Sequence, residues 1–332
     1  MNIPVDGQTP AGSPGTVYAP VLTPFTQDRL QIDAEAFRNQ LAFLGQSGLD
    51  GVLLLGTNGE FGQLAEAEKL ALVDLATAVA PGLAFIIGIT SPDSEAETFR
   101  FARLLDERLS QPARFLAAPP FYGRYHQGDR AEPSEVAGFY GRLLDLGLAA
   151  PIMAYNVPVP PAGPLTAPVP PETVAAFAAA ENFWGIKDST DEVDNISRYL
   201  AHRPGLQLLV GHDKAISAGR AAGAAGSITA CANVFPSAVR AVWNAESEET
   251  RIGCQRELDR LRGVLEVIPG KMVAIQKLLL YRIGVVAERS PVREAGLELE
   301  AAEVKEVLLR LREVAESLPV NSQLRRLLAS AI

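Results

Sequence analysis

The strongest constraint on the fold is a beat of short apolar runs with helical stretches between them. The runs cover residues 17–22, 51–55, 84–89, 114–118, 151–155, 183–187, 206–210 and 227–230. Most are continuously apolar rather than alternating, as strands are when a parallel sheet is covered on both faces. Their starts lie about 20–37 residues apart, which suits a strand–helix–strand unit. Amphipathic stretches fill the gaps. Residues 65–80 read AEAEKLALVDLATAVA and stop at Pro81-Gly82, residues 94–108 form a second, and a third opens at Pro171-Glu172 with proline in its first turn. Eight strands alternating with helices predict a (β/α)8 barrel. A doubly wound nucleotide-binding sheet would need GxGxxG after the first strand, and the chain has none.

After about residue 250 the strand signal stops. Residues 251–267, 271–284 and 301–318 read as helices, broken at Pro269-Gly270 and Pro291. The last places Val304, Val307, Leu308, Leu311 and Val314 on one face. The expected organisation is a mobile polar tail over 1–16, a barrel over 17–250 and a C-terminal helical appendage over 251–332. With 332 residues, 48% of them hydrophobic, the chain has room for a barrel of roughly 250 residues and this extra piece.

Composition removes several functions. A net charge of −9 and a pI near 5.0, with no run of Lys and Arg, argue against a nucleic-acid surface. No apolar run approaches the ~18 residues of a membrane helix, and the N-terminus lacks a signal-peptide pattern; a cytoplasmic protein is expected. Two cysteines (Cys231, Cys254) and three scattered histidines (His126, His202, His212) make neither a disulfide framework nor a metal motif. No metal and no cofactor are expected.

An α/β barrel builds its active site at the C-terminal ends of its strands. Run two ends in Gly56-Thr57-Asn58-Gly59-Glu60, run five in Tyr155-Asn156-Val157-Pro158, run six in Lys187-Asp188-Ser189 and run seven in Gly211-His212-Asp213-Lys214. Lysine is scarce, six against 24 arginines, and only Lys187 follows a buried-strand pattern. Desolvation there favours a neutral amine, the form that attacks a carbonyl. The alternative is an ion pair with Asp188 or Glu60. Tyr155 suits a proton carrier beside Lys187, or equally a rim tyrosine bonded to a backbone carbonyl. The glycines around Thr57 and Asn58 let backbone N–H groups converge on a carboxylate, or simply make a tight turn. Asp213 could accept from substrate hydroxyls. Lys214 could meet an anionic end, or merely start a helix.

In order, GTNGE (56–60), APPFY (118–122), YNVP (155–158), GIKDS (185–189), GHD (211–213) and GAAGSITACANVFP (223–236) resemble the dihydrodipicolinate synthase and N-acetylneuraminate lyase superfamily of Schiff-base aldolases. The resemblance spans about residues 17–240 and implies the barrel fold as well. It implies that Lys187 is the Schiff-base lysine and Tyr155 its proton carrier. Thr57 and Asn58 take the place of the pair that holds the pyruvate carboxylate, with Thr57 relaying protons to Tyr155. Tyr122 matches a tyrosine lent across a subunit interface, which implies a homotetramer built as a dimer of dimers. Gly211, Asp213 and Ile228 match pocket-lining positions. Two departures stand out. Asn58 replaces the usual Thr or Ser. After Pro158 the chain runs Val159-Pro160-Pro161-Ala162-Gly163, without the Arg by which synthases hold the aldehyde substrate's carboxylate.

The reading reached from the sequence is reversible aldol cleavage of a 2-oxo-3-deoxy sugar acid, or a similar 2-oxo acid, to pyruvate and an aldehyde. A sugar-acid dehydratase acting through the same imine comes second and dihydrodipicolinate synthase third. A catalytically silent barrel that binds an oxo acid is the non-enzymatic rival.

Overall fold

Each apolar run forms a strand within two residues of its expected limits. The computed structural model describes residues 15–91, 94–119, 132–157, 169–177, 180–190, 192–203, 205–318 and 323–332. The strands are β1 (Thr16–Pro20), β2 (Gly51–Leu54), β3 (Ala84–Gly88), β4 (Ala113–Ala117), β5 (Ile152–Asn156), β6 (Phe183–Asp188), β7 (Gln207–Val210) and β8 (Gly226–Ile228). They follow one another around a closed barrel in chain order and pair in parallel. The helices after them are α1 (Ala34–Gln46), α2 (Glu66–Val79), α3 (Glu95–Arg108), α4 (Pro133–Leu144), α5 (Pro171–Phe177), α6 (Val193–His202), α7 (Ile216–Ala221) and α8 (Pro236–Asn244). Four more helices close the chain: α9 (Glu248–Leu265), α10 (Met272–Arg282), α11 (Ala301–Ser317) and α12 (Gln323–Ala331). The fold is therefore the (β/α)8 barrel with C-terminal helices that the strand–helix alternation predicts. Among the described residues no helix is long and apolar enough to cross a membrane.

The chain forms two compact units, one built on Ala84–Ile228 and the other on Val17–Leu83 with Thr229–Ile332. In the first, Ser94 caps α3 by accepting from the Glu97 N–H at 3.2 Å, and Pro133 opens α4. Its core carries a run of aromatic contacts, Phe139 on Tyr140, Tyr140 on Phe177 and Phe177 on Phe183, at centroid distances of 4.7–5.4 Å. These rings pin α4 and α5 behind β5 and β6, the strands that carry Tyr155 and Lys187.

In the second unit Asp33 caps α1 and Ser247 caps α9. Trp243, Phe37, Phe235 and Leu258 are buried in its core, and the α11 stripe buries Val307, Leu311 and Val314. One feature of this unit is invisible in the apolar pattern. Lys277 of α10 is 2% exposed, and its Nζ donates to Glu60 Oε1 at 2.6 Å and to the Pro291 carbonyl at 2.7 Å. Glu60 Oε2 accepts from the Arg293 N–H at 2.8 Å. Lys277→Met leaves the Glu60 carboxylate buried beside apolar atoms. A loss of about 3–5 kcal/mol of stability is expected, read by denaturant unfolding, and an unchanged midpoint would show that the pair is dispensable.

Candidate active site

β5 and β6 pair with Tyr155 beside Lys187 and Asn156 beside Asp188. Successive side chains of a strand point to opposite faces, so Tyr155 and Lys187 share one face and Asn156 and Asp188 the other. Lys187 is 5% exposed. Its Nζ donates to Tyr155 Oη at 3.1 Å and lies 4.3 Å from the ring centroid. Ser189 Oγ donates to the same phenol oxygen at 3.4 Å. With two donors on that oxygen, the Tyr155 O–H is left to point at a third group. The ion pair open to Lys187 in the sequence is not made: Glu60 is bonded to Lys277, and Asp188 lies on the other side of the strand.

The backbone behind this pair is tied down from α4. Tyr140 Oη accepts from the Tyr155 N–H at 3.1 Å and donates to the Ala117 carbonyl at 2.9 Å. Burial pushes the Tyr140 phenol well above its ordinary range, so it stays a donor. On the far face, Asp188 Oδ1 accepts from Asn156 Nδ2 at 3.2 Å, from the Thr190 N–H at 3.0 Å and from Thr190 Oγ1 at 2.8 Å. Burial pushes the Asp188 carboxyl up to about 6, against the hydrogen bonds from Thr190 and Asn156, which pull it down.

Gly211 follows β7, and its N–H donates to the Asp188 carbonyl at 2.6 Å. A Cβ at Gly211 would lie 2.0 Å from Ser189 Oγ. Glycine there is what allows the Ser189 hydroxyl to reach Tyr155. Asp213 has no exposed surface and begins the 3-10 turn Asp213–Ala215 that leads into α7; Lys214 sits in that turn, at a helix start. Ile228 ends β8 and is fully buried.

In the other unit, Thr57 and Asn58 lie in the 3-10 turn Thr57–Gly59 after β2. The chain enters and leaves this turn in left-handed conformations at Leu55 (φ 55°) and Glu60 (φ 54°), a backbone cost that surrounding contacts must offset. Two contacts do so: the Glu60–Lys277 pair and a bond from Thr23 Oγ1 to the Gly59 carbonyl at 2.6 Å. Thr57 is exposed. Asn58 Nδ2 is buried and meets no acceptor among the described residues. Tyr122 lies outside the described residues. Among those described, no group of His, Cys, Asp and Glu is placed to hold a metal.

Sequence reasoning singled out Lys187 and Tyr155, which the structure brings together, and passed over Ser189, Tyr140, the Asn156–Asp188 bond and Lys277. Ser189 and Asn156 were legible as neighbours of Lys187 and Tyr155 in GIKDS and YNVP. Tyr140 and Lys277 sit inside ordinary amphipathic helices, and nothing local marks them.

Residues 13–312 match the dihydrodipicolinate synthetase family. Among curated relatives, an uncharacterized DapA-like lyase of Chloroflexus aurantiacus is 31% identical, across 70% of this chain and 75% of that protein. A probable 2-dehydro-3-deoxy-D-pentonate aldolase of Escherichia coli is 28% identical, across 70% and 74%. In fold, the chain is similar to the 4-hydroxy-tetrahydrodipicolinate synthase of Methylacidiphilum fumariolicum, with a TM-score of 0.79 at 21% identity over 94% of this chain and 99% of that one. This chain belongs to the dihydrodipicolinate synthetase family and is a lyase of the class I aldolase superfamily.

Proposed function

We propose that this lyase cleaves a 2-oxo-3-deoxy sugar acid, or a similar hydroxylated 2-oxo acid, to pyruvate and an aldehyde. The observation that carries the reading is the buried Lys187 amine 3.1 Å from the Tyr155 phenol. A nucleophile and a proton carrier within hydrogen-bond reach are what imine chemistry needs. Lys187 Nζ attacks the C2 carbonyl; the Tyr155 phenol gives its proton to the hydroxyl that leaves as water, so a protonated imine forms beside a Tyr155 phenolate. Tyr155 takes the proton of the C4 hydroxyl, the C3–C4 bond breaks, and the aldehyde departs. The bonding pair passes to C3 and is delocalised into the imine as an enamine, which avoids a bare carbanion. Protonation at C3 and hydrolysis release pyruvate and restore the amine.

Thr57 and Asn58 hold the pyruvate carboxylate in this reading, and the buried Asn58 Nδ2 supplies a suitable donor. Gly211, Asp213 and Ile228 shape the pocket wall in this reading, and Asp213, which has no exposed surface, supports that wall from behind. The same reading makes the protein a cytoplasmic homotetramer, a dimer of dimers. The missing Arg beyond Pro158 favours a hydroxylated substrate over the synthase's carboxylated aldehyde. The similarity to a probable pentonate aldolase supports the same choice.

A panel of 2-oxo-3-deoxy sugar acids tests it, with aldehyde and water loss measured separately. Aldehyde release with equimolar pyruvate is expected. Water loss with the carbon chain intact would assign a dehydratase. Condensation of pyruvate with aspartate semialdehyde, and no cleavage of the sugar acids, would assign the synthase.

A further inference from the structure

We propose that Asn156 and Asp188 are positioning residues, whose cross-strand bond fixes the separation of Tyr155 and Lys187 on the opposite face of the sheet. The inference rests on the imine chemistry proposed above. Tyr155 pairs with Lys187 and Asn156 with Asp188, so the bridge is one residue along from the reactive pair on both strands. Any slide of β6 along β5 moves both pairs together. The two reactive atoms stand at the tips of long side chains, where a small backbone slide changes their separation directly.

The strand ladder carries an irregularity close to the reactive pair. The β5–β6 pairing shifts between Ile152 and Met153, two residues before Tyr155 at the near end. Such an irregularity leaves one residue unpaired and bends the strand. Downstream of it the strands pair from Met153 with Gly185 to Asn156 with Asp188, and the Asn156–Asp188 bond at 3.2 Å adds a side-chain tie at the last of these pairs. Asn156 and Asp188 are 2% and 4% exposed, where a lost partner would leave a buried polar group unsatisfied. Asn156 uses both ends of its amide, since its Oδ1 accepts from the Val169 N–H at 3.2 Å. The Val169 carbonyl in turn accepts from Tyr199 Oη of α6. The bridge is thus anchored to the helix layer as well as to the neighbouring strand.

All three bonds to Asp188 converge on one atom, Oδ1. An amide carbonyl accepts from the same directions. The role assigned to Asp188 is therefore geometric and does not require its charge. This separates it from an anion acting electrostatically on the neighbouring Lys187.

The test compares Asp188→Ala with Asp188→Asn in the full-length protein. Three quantities are read: cleavage turnover, enzyme-catalysed exchange of the pyruvate C3 protons in D2O, and pyruvate adduct on Lys187 after borohydride. Asp188→Ala should lose about 10²-fold in turnover and exchange, the scale of a misplacement near 1 Å, with the Michaelis constant changed far less. Asp188→Asn should restore most of the loss. If Asp188→Ala does not fold, Asn156→Ala decides, because it leaves Asp188 its two bonds from Thr190; the same loss in exchange is expected. Full exchange in the variant that folds would overturn the proposal. So would an Asp188→Asn as slow as Asp188→Ala, which would assign the effect to charge. Absence of adduct in the unaltered protein would instead overturn the imine reading itself.

Discussion

Lys187→Met is expected to abolish cleavage while leaving the fold intact. Methionine keeps an unbranched apolar stem of similar length, and the site is 5% exposed, so the substitution suits its surroundings. Only the amine is lost, and with it the hydrogen bond to Tyr155 Oη at 3.1 Å. Turnover should fall by about 10⁴–10⁶-fold, the scale reached when a covalent nucleophile is removed from an otherwise complete site. Unfolding should be no easier than in the unaltered protein. Steady-state cleavage with a circular-dichroism melt checks both. Retained turnover in a folded variant would mean that the substrate is activated without an imine.

Tyr155→Phe isolates the proton transfer. The ring stays packed, the hydroxyl goes, and Lys187 Nζ and Ser189 Oγ lose their shared acceptor. Positioned acid–base groups contribute ~10²–10⁴-fold, or ~3–5 kcal/mol of transition-state stabilisation. Turnover should fall by that much. Lys187 remains able to form an imine, so reductive trapping should survive although cleavage is slow. Near-normal turnover would show that another group carries the C4 hydroxyl proton.

The barrel was legible because its signal is repetitive. Eight apolar runs at regular spacing leave few alternatives, and the cap Ser94 and the first-turn Pro133 mark helix starts locally. Lys187 was legible for a related reason. A lone lysine after an apolar strand breaks the pattern, and the chain has few lysines. What remained hidden depends on pairs distant in sequence. Lys277 reads as one more helix residue, yet it is as buried as the core and meets Glu60, 217 positions away. Tyr140 reads as part of an amphipathic stripe, yet its hydroxyl holds the backbone of Tyr155. Asn156 and Asp188 stand within recognisable motifs, but their bond appears only once the strands are in register. Periodicity reports which face a residue occupies; it does not report its partner.

The central claim is that Lys187 forms an imine with a 2-oxo acid. It is tested most directly by incubating the protein with pyruvate and borohydride and mapping the product by mass spectrometry. The account predicts one reduced pyruvate adduct per chain, on Lys187, absent without pyruvate and absent in Lys187→Met. An unmodified chain, or an adduct on another lysine such as Lys214, would contradict it.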